Sequence, residues 1–360
     1  MVQFTLVGAD VHDKSILVKV AVDRGPAVTR SWSNDRDGRQ AMIADLKRRA
    51  AEAGAKEIWF AYEASGQGFG LYDDLTEAGI RCGVLAPTKL KRSAQERKKK
   101  TDEKDAERLL EVLRGHLLAG NRLPEVWIPD MQTRDDRELV RSRLDAGEKI
   151  SAVKAQVKAL LKRNGVGRAA EAGEGWSQDY RRWLTWLTQE GSVLGAGARA
   201  GLLTLLAQLD FLEEEAGKLY EAIAELSEAQ RYAGSVKEMR KLKGAGLLTV
   251  MVFLTEIGDL KRFRNRRQIG AYLGLVPTAA ESGEQNDRKG HITREGSARL
   301  RKVLCQATWA RVKHDPEERE FYTRLAEKNP KHKKKAVVAV MRRLGIRLWH
   351  AGLRGMEATA

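Results

Sequence analysis

The first ninety residues impose a strand and helix order that few folds share. "FTLVGADVHD" is an apolar run ending at Asp10, and "SILVKVAV" and "AVTRSWS" are two more strand-like runs, joined by the turn-like "VHDK" and "DRGP". Together they predict a three-stranded meander. "DGRQAMIADLKRRAAEAG" then has helical spacing and a glycine stop, "EIWFAYEA" is a strand ending near Glu63, "GLYDDLTEAG" a short helix, and "IRCGVLAP" a fifth strand. The order is βββαβαβ, followed by a helix that begins in "KKKTDEKDAERLL" and carries Asp102 and Asp105.

Two acids in the first turn of a helix complement the positive end of its dipole, and a Thr or Asp before them caps it. A functional role needs other carboxylates brought to the same place. The βββαβαβ order resembles the ribonuclease H-like fold, in which the first strand lies beside the fourth in a mixed sheet. That arrangement brings Asp10, Glu63, Asp102 and Asp105 to one edge. Four carboxylates so close raise one another's pKa unless a cation sits among them, and Mg²⁺ is the expected guest. Such a centre stabilises the charge that develops on a phosphodiester. Asp13 reads as a turn residue and His12 as a turn or surface histidine, so neither is assigned a role.

The balance of charge points the same way. The chain has 360 residues, 42% of them hydrophobic, enough for a buried core and two or three domains. It carries 65 Lys and Arg against 49 Asp and Glu, a net charge of +16 spread over several segments, which suits a polyanionic partner. No apolar run is long enough to span a bilayer and no signal pattern is present at the N-terminus, so a soluble cytoplasmic protein is expected. Cys82 and Cys305 are far apart and lack metal-ligand spacing, which predicts two buried free thiols and neither a disulfide framework nor a zinc site.

From about Thr133 to Arg163 an apolar stripe runs among many charges, predicting a long amphipathic helix. After the flexible "GVGRAAEAGEG" come a short Trp-rich helix, "YRRWLTWLT", and a second long helix, "LLTLLAQLDFLEEEAGKLYEAIAEL". Two long helices that cannot bury their stripes alone suggest a coiled-coil arm and a homo-oligomer, dimer or tetramer. "MRKLKGAGLLTVMVFLTEIGD" sets a Gly-x-Gly turn beside Lys243 between two helical runs; this is either a phosphate-binding hairpin or a plain helix turn that needs glycine. Ser282 stands in a polar, glycine-bearing stretch followed by Arg288, Lys289, Arg294, Arg299 and Arg301. A serine there is usually a turn residue, but cations around it would suit a nucleophile acting on a phosphodiester.

The quoted stretches, with "AYEASGQGFGLYDDL", "APTKLKRSAQERKKKTDEKDAERL", "QIGAYLGLVPTAAESGE" and "KGHITREGSARLRKVLCQATWA", are similar in order and spacing to the DEDD transposases of insertion sequences over nearly the whole chain. The resemblance implies a RuvC-like catalytic domain over residues 1–130, a coiled-coil or helical linker over 131–235 and a mainly helical transposase domain over 236–360. It also implies metal-binding catalytic roles for Asp10, Glu63, Asp102 and Asp105, a catalytic serine at Ser282, and recombination guided by a structured non-coding bridge RNA that pairs with donor and target DNA. Lys98, Lys99, Lys100, Lys243, Arg288, Lys289, Arg294 and Arg299 are the expected nucleic-acid contacts. The reading is a bacterial DNA recombinase of a mobile element, working at the nucleoid. Its rivals are a Holliday-junction type nuclease, in which Ser282 is only a turn residue, and a non-enzymatic basic scaffold.

Overall fold

The computed structural model describes residues 4–90, 101–279, 289–327 and 332–358, and its fold is mixed α/β and predominantly helical. The contacts divide it into two compact units, Met1–Ile128 and Pro129–Ala360.

The first unit is built on strands β1 (Phe4–Val11), β2 (Ser15–Val22), β3 (Val28–Ser33), β4 (Glu57–Glu63) and β5 (Arg81–Leu85) in the order β3-β2-β1-β4-β5. β1 pairs antiparallel with β2 and parallel with β4, as the element order predicts. The strand runs one residue past Asp10, so this acid lies within the last pair of residues of β1. β1 is central and covered on both faces, which explains its unbroken apolar stretch from Leu6 to Ala9. Helices α1 (Arg36–Glu52) and α2 (Gly70–Glu77) cover one face, where Met42, Leu46, Leu71 and Leu75 meet Val7, Val18 and Phe60. Helix α3 (Asp102–Ala119) covers the other through Leu109, Leu110 and Leu113.

Residue requirements at both ends set α3. Thr101 caps it by accepting from the Lys104 amide, and Asp102, Glu103 and Asp105 occupy its first turn. Gly120, at φ 71°, ends it with two backbone bonds to the carbonyls of Gly115 and His116.

The second unit holds two long helices, α4 (Met131–Arg163) and α6 (Ala196–Ser227), which pack on each other and enclose the short α5 (Gln178–Leu187) at one end. Val157, Leu160, Leu161, Leu184, Leu202 and Leu206 form that end of the core. At the other end Val140 and Ile223 join the larger core of α7 (Gln230–Arg240), α8 (Leu247–Ile257), α9 (Arg266–Tyr272), α10 (Ala298–His314) and α12 (Lys333–Glu357). Helix α11 (Pro316–Glu327) lies against α10 and α12. The Gly-x-Gly turn between α7 and α8 is packed tightly: Gly244 sits at φ +85°, and a Cβ there would stand 2.6 Å from the Ala307 carbonyl oxygen. Close approach is thus sufficient reason for that glycine. A short antiparallel pair, β6 (Pro277–Ala279) and β7 (Lys289–Ile292), has no counterpart in the sequence reading. Among the described residues no helix is long and apolar enough to cross a membrane. Cys82 and Cys305 are free and partly exposed as residues, although the Cys82 thiol itself is largely enclosed.

Candidate metal centre and nucleic-acid residues

The sheet register sets Asp10 and Glu63 at neighbouring strand ends, because Ala9 pairs with Tyr62 across β1 and β4. Helix α3 brings its acids to the same end by lying directly on β1. The contact depends on Gly8, where a Cβ would stand 2.2 Å from the Ala106 carbonyl oxygen and 2.3 Å from the Leu110 amide nitrogen. Only a residue without a side chain lets the helix backbone come so near.

Within this cluster the side chains form two groups. In one, Nε2 of His12 lies 3.2 Å from Oδ2 of Asp10 and 3.5 Å from Oδ1 of Asp102. These three residues each offer a ligand atom, all within 4.8 Å of one another. In the other, Arg108 contacts the Glu63 carboxylate and lies 3.2 Å from Oδ1 of Asp105. Arg108 and Asp105 are each 13% exposed, whereas Asp102 is 55% exposed. The Glu63 and Asp105 carboxylates thus have the Arg108 guanidinium at contact distance.

The turn that carries His12 is held from two sides. Asn34 donates to the His12 carbonyl at 2.7 Å, and Gln67 donates to the Asp13 carboxylate at 3.1 Å and to the Val11 carbonyl at 3.4 Å. Asp13 is thus a turn residue, as its sequence suggests. His12 is the residue that local reasoning passed over: one histidine in a turn carries no ligand signal, and its partner Asp102 is 90 positions away. Arg108 was missed for a related reason, since a single arginine on a charged helix face is ordinary. Its i+3 spacing from Asp105 is the signal that could have found it.

The donor set suits a divalent cation. Two carboxylates supply charge −2 and the imidazole a third ligand atom. Ligand atoms held at about 2.1 Å from one Mg²⁺ stand at most about 4.2 Å apart, so a 4.8 Å grouping closes onto an ion by small side-chain rotations. Nearby, burial pushes the Tyr62 phenol and the Cys82 thiol well above their ordinary values, the Cys82 charge adding to the first and the Glu125 carboxylate to the second.

Of the expected nucleic-acid residues, Lys98, Lys99, Lys100 and Arg288 lie outside the described residues, as does Ser282. Lys289 begins β7. Lys243 is exposed beside Gly244, and its carbonyl accepts from Arg311 at 3.1 Å. Arg294 is exposed and takes a left-handed conformation at φ 56°. Arg299 is half-exposed and pairs with Asp145 at 3.1 Å, so part of its charge is already balanced within the chain.

Comparison with known proteins identifies the family. The profile of the IS110 DEDD transposases matches residues 7–164, the span holding all four acids, and that described as "Transposase IS116/IS110/IS902 family" matches residues 236–323. The putative transposase y4qE of Sinorhizobium fredii is 31% identical over 305 residues, covering 84% of this chain and 70% of the relative. The transposase for insertion sequence element IS1533 of Leptospira borgpetersenii is 23% identical over 84% of each chain. That for IS1111A of Coxiella burnetii is 24% identical over 70% of this chain and 65% of its own. With both profiles matched in order and a 31% identical relative spanned over most of its length, the chain belongs to the IS116/IS110/IS902 family of transposases, enzymes that act on DNA.

Proposed function

We propose that this transposase cuts and rejoins DNA through a ribonuclease H-like metal centre on Asp10, Glu63, Asp102 and Asp105 together with a serine nucleophile at Ser282. The observation that carries the metal centre is the meeting of Asp10, His12 and Asp102 at the end of β1, beside Glu63 and Asp105. Mg²⁺ held there supplies Lewis-acid stabilisation of charge developing on the phosphodiester oxygens. The protein's own part is positional: β1 and β4 fix two acids, and α3 sets two more one turn apart. Family membership disfavours the non-enzymatic scaffold.

Ser282 is supported by the resemblance and by its position within the span of the second family profile. In the proposed step its hydroxyl oxygen bonds to phosphorus as the strand's P–O bond breaks, the serine proton passes to solvent, and the departing DNA oxygen takes up a proton from solvent to leave as a free hydroxyl end. The reverse attack by a DNA hydroxyl on the phosphoserine rejoins the strands. A serine ester stores the phosphodiester energy that hydrolysis would lose. Lys98, Lys99, Lys100, Lys243, Arg288, Lys289, Arg294 and Arg299 then hold phosphates, consistent with the net charge of +16. The finer parts of the proposal are a structured guide RNA that selects donor and target DNA, a homo-oligomer, and residues 131–235 as a helical linker between the two catalytic segments.

The deciding experiment is strand exchange by protein purified with its nucleic acid from a host carrying the whole element. Ser282→Ala should retain DNA and RNA binding and lose strand exchange, and a trapped wild-type reaction should yield a DNA-linked peptide containing Ser282. Recombination by Ser282→Ala at the wild-type rate moves the hydrolytic-nuclease reading ahead. A discrete structured RNA should co-purify, and changing its pairing loops should change the target; sequence-specific recombination by RNA-free protein would refute guidance.

A further inference from the structure

We propose that the end of the helical arm at which α4 stops binds the phosphate backbone of duplex DNA, in a pocket lined by Lys158, Lys162 and Arg168 beside the glycine turn after the helix. This role goes beyond that of a helical linker for residues 131–235, and it rests on the reading above that cations of this protein hold phosphates.

Charge is segregated along the arm. In its middle, several cations are answered by acids of the same helices: Lys154 pairs with Glu213 at 2.8 Å, Arg181 with Glu213 at 2.9 Å, and Lys218 with Glu214 at 2.9 Å and Glu215 at 2.7 Å. The end of the arm is different. The stretch "KALLKRNGVGR" carries Lys158, Lys162, Arg163 and Arg168 and no acid. All four are exposed, and among the described residues none of them forms an ion pair. Lys158 and Lys162 stand on adjacent turns of α4, where like charges repel. A row of phosphates turns that repulsion into attraction, and each phosphate neutralised releases a counterion.

Arg168 is held in place without losing its charge. Its Nη2 donates to the Gly175 carbonyl at 2.8 Å and to the Ala172 carbonyl at 3.3 Å, and its guanidinium lies over the Tyr180 ring at 4.1 Å. Carbonyls and a ring face orient a guanidinium but do not neutralise it. Three of the eight residues lining this pocket of about 430 Å³ are cations and none is an acid, so an anion is the guest it selects.

The turn itself is open. Gly165, at φ +68°, supplies the left-handed conformation that leads the chain off α4. Gly167 has no such conformation to adopt, and nothing lies within 4 Å of a Cβ built there. Close approach of a ligand to the backbone is a use for glycine that internal packing does not supply here. The pocket also discriminates between paired and unpaired strands. Its aromatic, Tyr180, is 4% exposed, covered by Arg168 and stacked on Trp183 at 5.5 Å. Single strands bind by stacking bases on exposed rings, and no ring face is open here. The contact is therefore with the backbone of a duplex, and the family's substrate makes that duplex DNA.

The test titrates full-length protein, freed of nucleic acid, with a labelled DNA duplex carrying an end of the element, over a series of salt concentrations. Lys158→Gln combined with Lys162→Gln should lower the slope of log affinity against log salt by about 2 and weaken binding about tenfold at moderate salt, as for two lost phosphate contacts. Lys218→Gln, which removes an exposed charge already paired on the same arm, should bind as wild type does. Gly167→Leu keeps every charge and puts a side chain at the pocket, so it should weaken binding several-fold at an unchanged melting temperature. A double lysine variant with the wild-type slope, an equal loss in Lys218→Gln, or normal binding by Gly167→Leu overturns the inference and leaves the metal centre and Ser282 standing. A loss seen only with duplex RNA of the same sequence overturns DNA as the partner. Failure of wild type to bind the DNA overturns this inference together with the reading it rests on.

Discussion

A Cβ on Gly8 would stand 2.2 Å from the carbonyl oxygen of Ala106, which means that strand β1 and helix α3 touch backbone to backbone two residues before Asp10 and one residue after Asp105. The spacing of the acids therefore depends on a residue that carries no chemistry. Neighbouring atoms that are backbone cannot rotate away, unlike the end of a flexible side chain.

Gly8→Ala should cost about 1–3 kcal/mol through overpacking, and it should weaken Mn²⁺ binding as well because α3 is pushed away from β1. Gly66→Ala is the control, since nothing lies within 4 Å of a Cβ there. Thermal denaturation and metal titration of both variants check this. A Gly8→Ala protein with wild-type stability and metal affinity would show that α3 does not depend on this contact.

Asp102 separates activity from stability. It is 55% exposed in the first turn of α3, so Asp102→Asn should change folding free energy by no more than about 0.5 kcal/mol. Strand exchange should fall by on the order of 100-fold or more, since even outer-shell partners of metals cost 10–100-fold. Activity assays beside chemical denaturation curves measure the two effects independently. Near-normal exchange by Asp102→Asn and by Asp10→Asn together would remove these acids from the reaction.

In the second unit the strongest electrostatic expectation concerns Glu318. It is 1% exposed and meets Arg311 at 3.3 Å, Arg343 at 3.3 Å and Arg347 at 2.6 Å, three cations on two different helices. Removing this carboxylate leaves the 4%-exposed Arg311 with one carboxylate partner among the described residues, Asp315 at 2.9 Å. Glu318→Ala should destabilise by about 3 kcal/mol, as for a broken buried pair. Glu317 also pairs with Arg343 and Arg347 but is 63% exposed, and Glu317→Ala should cost well under about 1 kcal/mol. Equal melting shifts for the two variants would contradict burial as the cause.

Alkaline pH should weaken the first unit. Burial, reinforced by Glu125, holds the Cys82 thiol protonated well above its ordinary value of 9.0, and burial with the Cys82 charge does the same for the Tyr62 phenol above 10.0. Both groups ionise first in the unfolded chain, so their contribution is complete below about pH 9 and declines as pH rises past the unfolded values toward the raised folded ones. Urea midpoints measured from pH 7 to 11 should fall, and Cys82→Ala with Tyr62→Phe should flatten the fall. The same burial predicts that native Cys82 resists iodoacetamide at pH 8 and reacts once the chain is unfolded. Rapid alkylation of Cys82 in the native protein would contradict this picture.

The sequence alone determined the order of strands and helices, the placement of Asp10 and Glu63 at strand ends, and Asp102 with Asp105 on the first turn of α3, while the pairing of β1 with β4 came from the resemblance of that order to the ribonuclease H-like fold. It could do so because backbone geometry repeats every two residues in a strand and every 3.6 in a helix, and because caps such as Thr101 act on amides two or three residues away. Glycine at position 8 and His12 had no such local signal, and the i+3 spacing of Arg108 from Asp105 gave no hint of Glu63. Their places follow from contacts across 98, 90 and 45 positions, to Ala106, Asp102 and Glu63. Tertiary structure alone decided which positive groups face the acids, because a charge is assigned its partner by distance in space and by burial, neither of which is periodic along the chain.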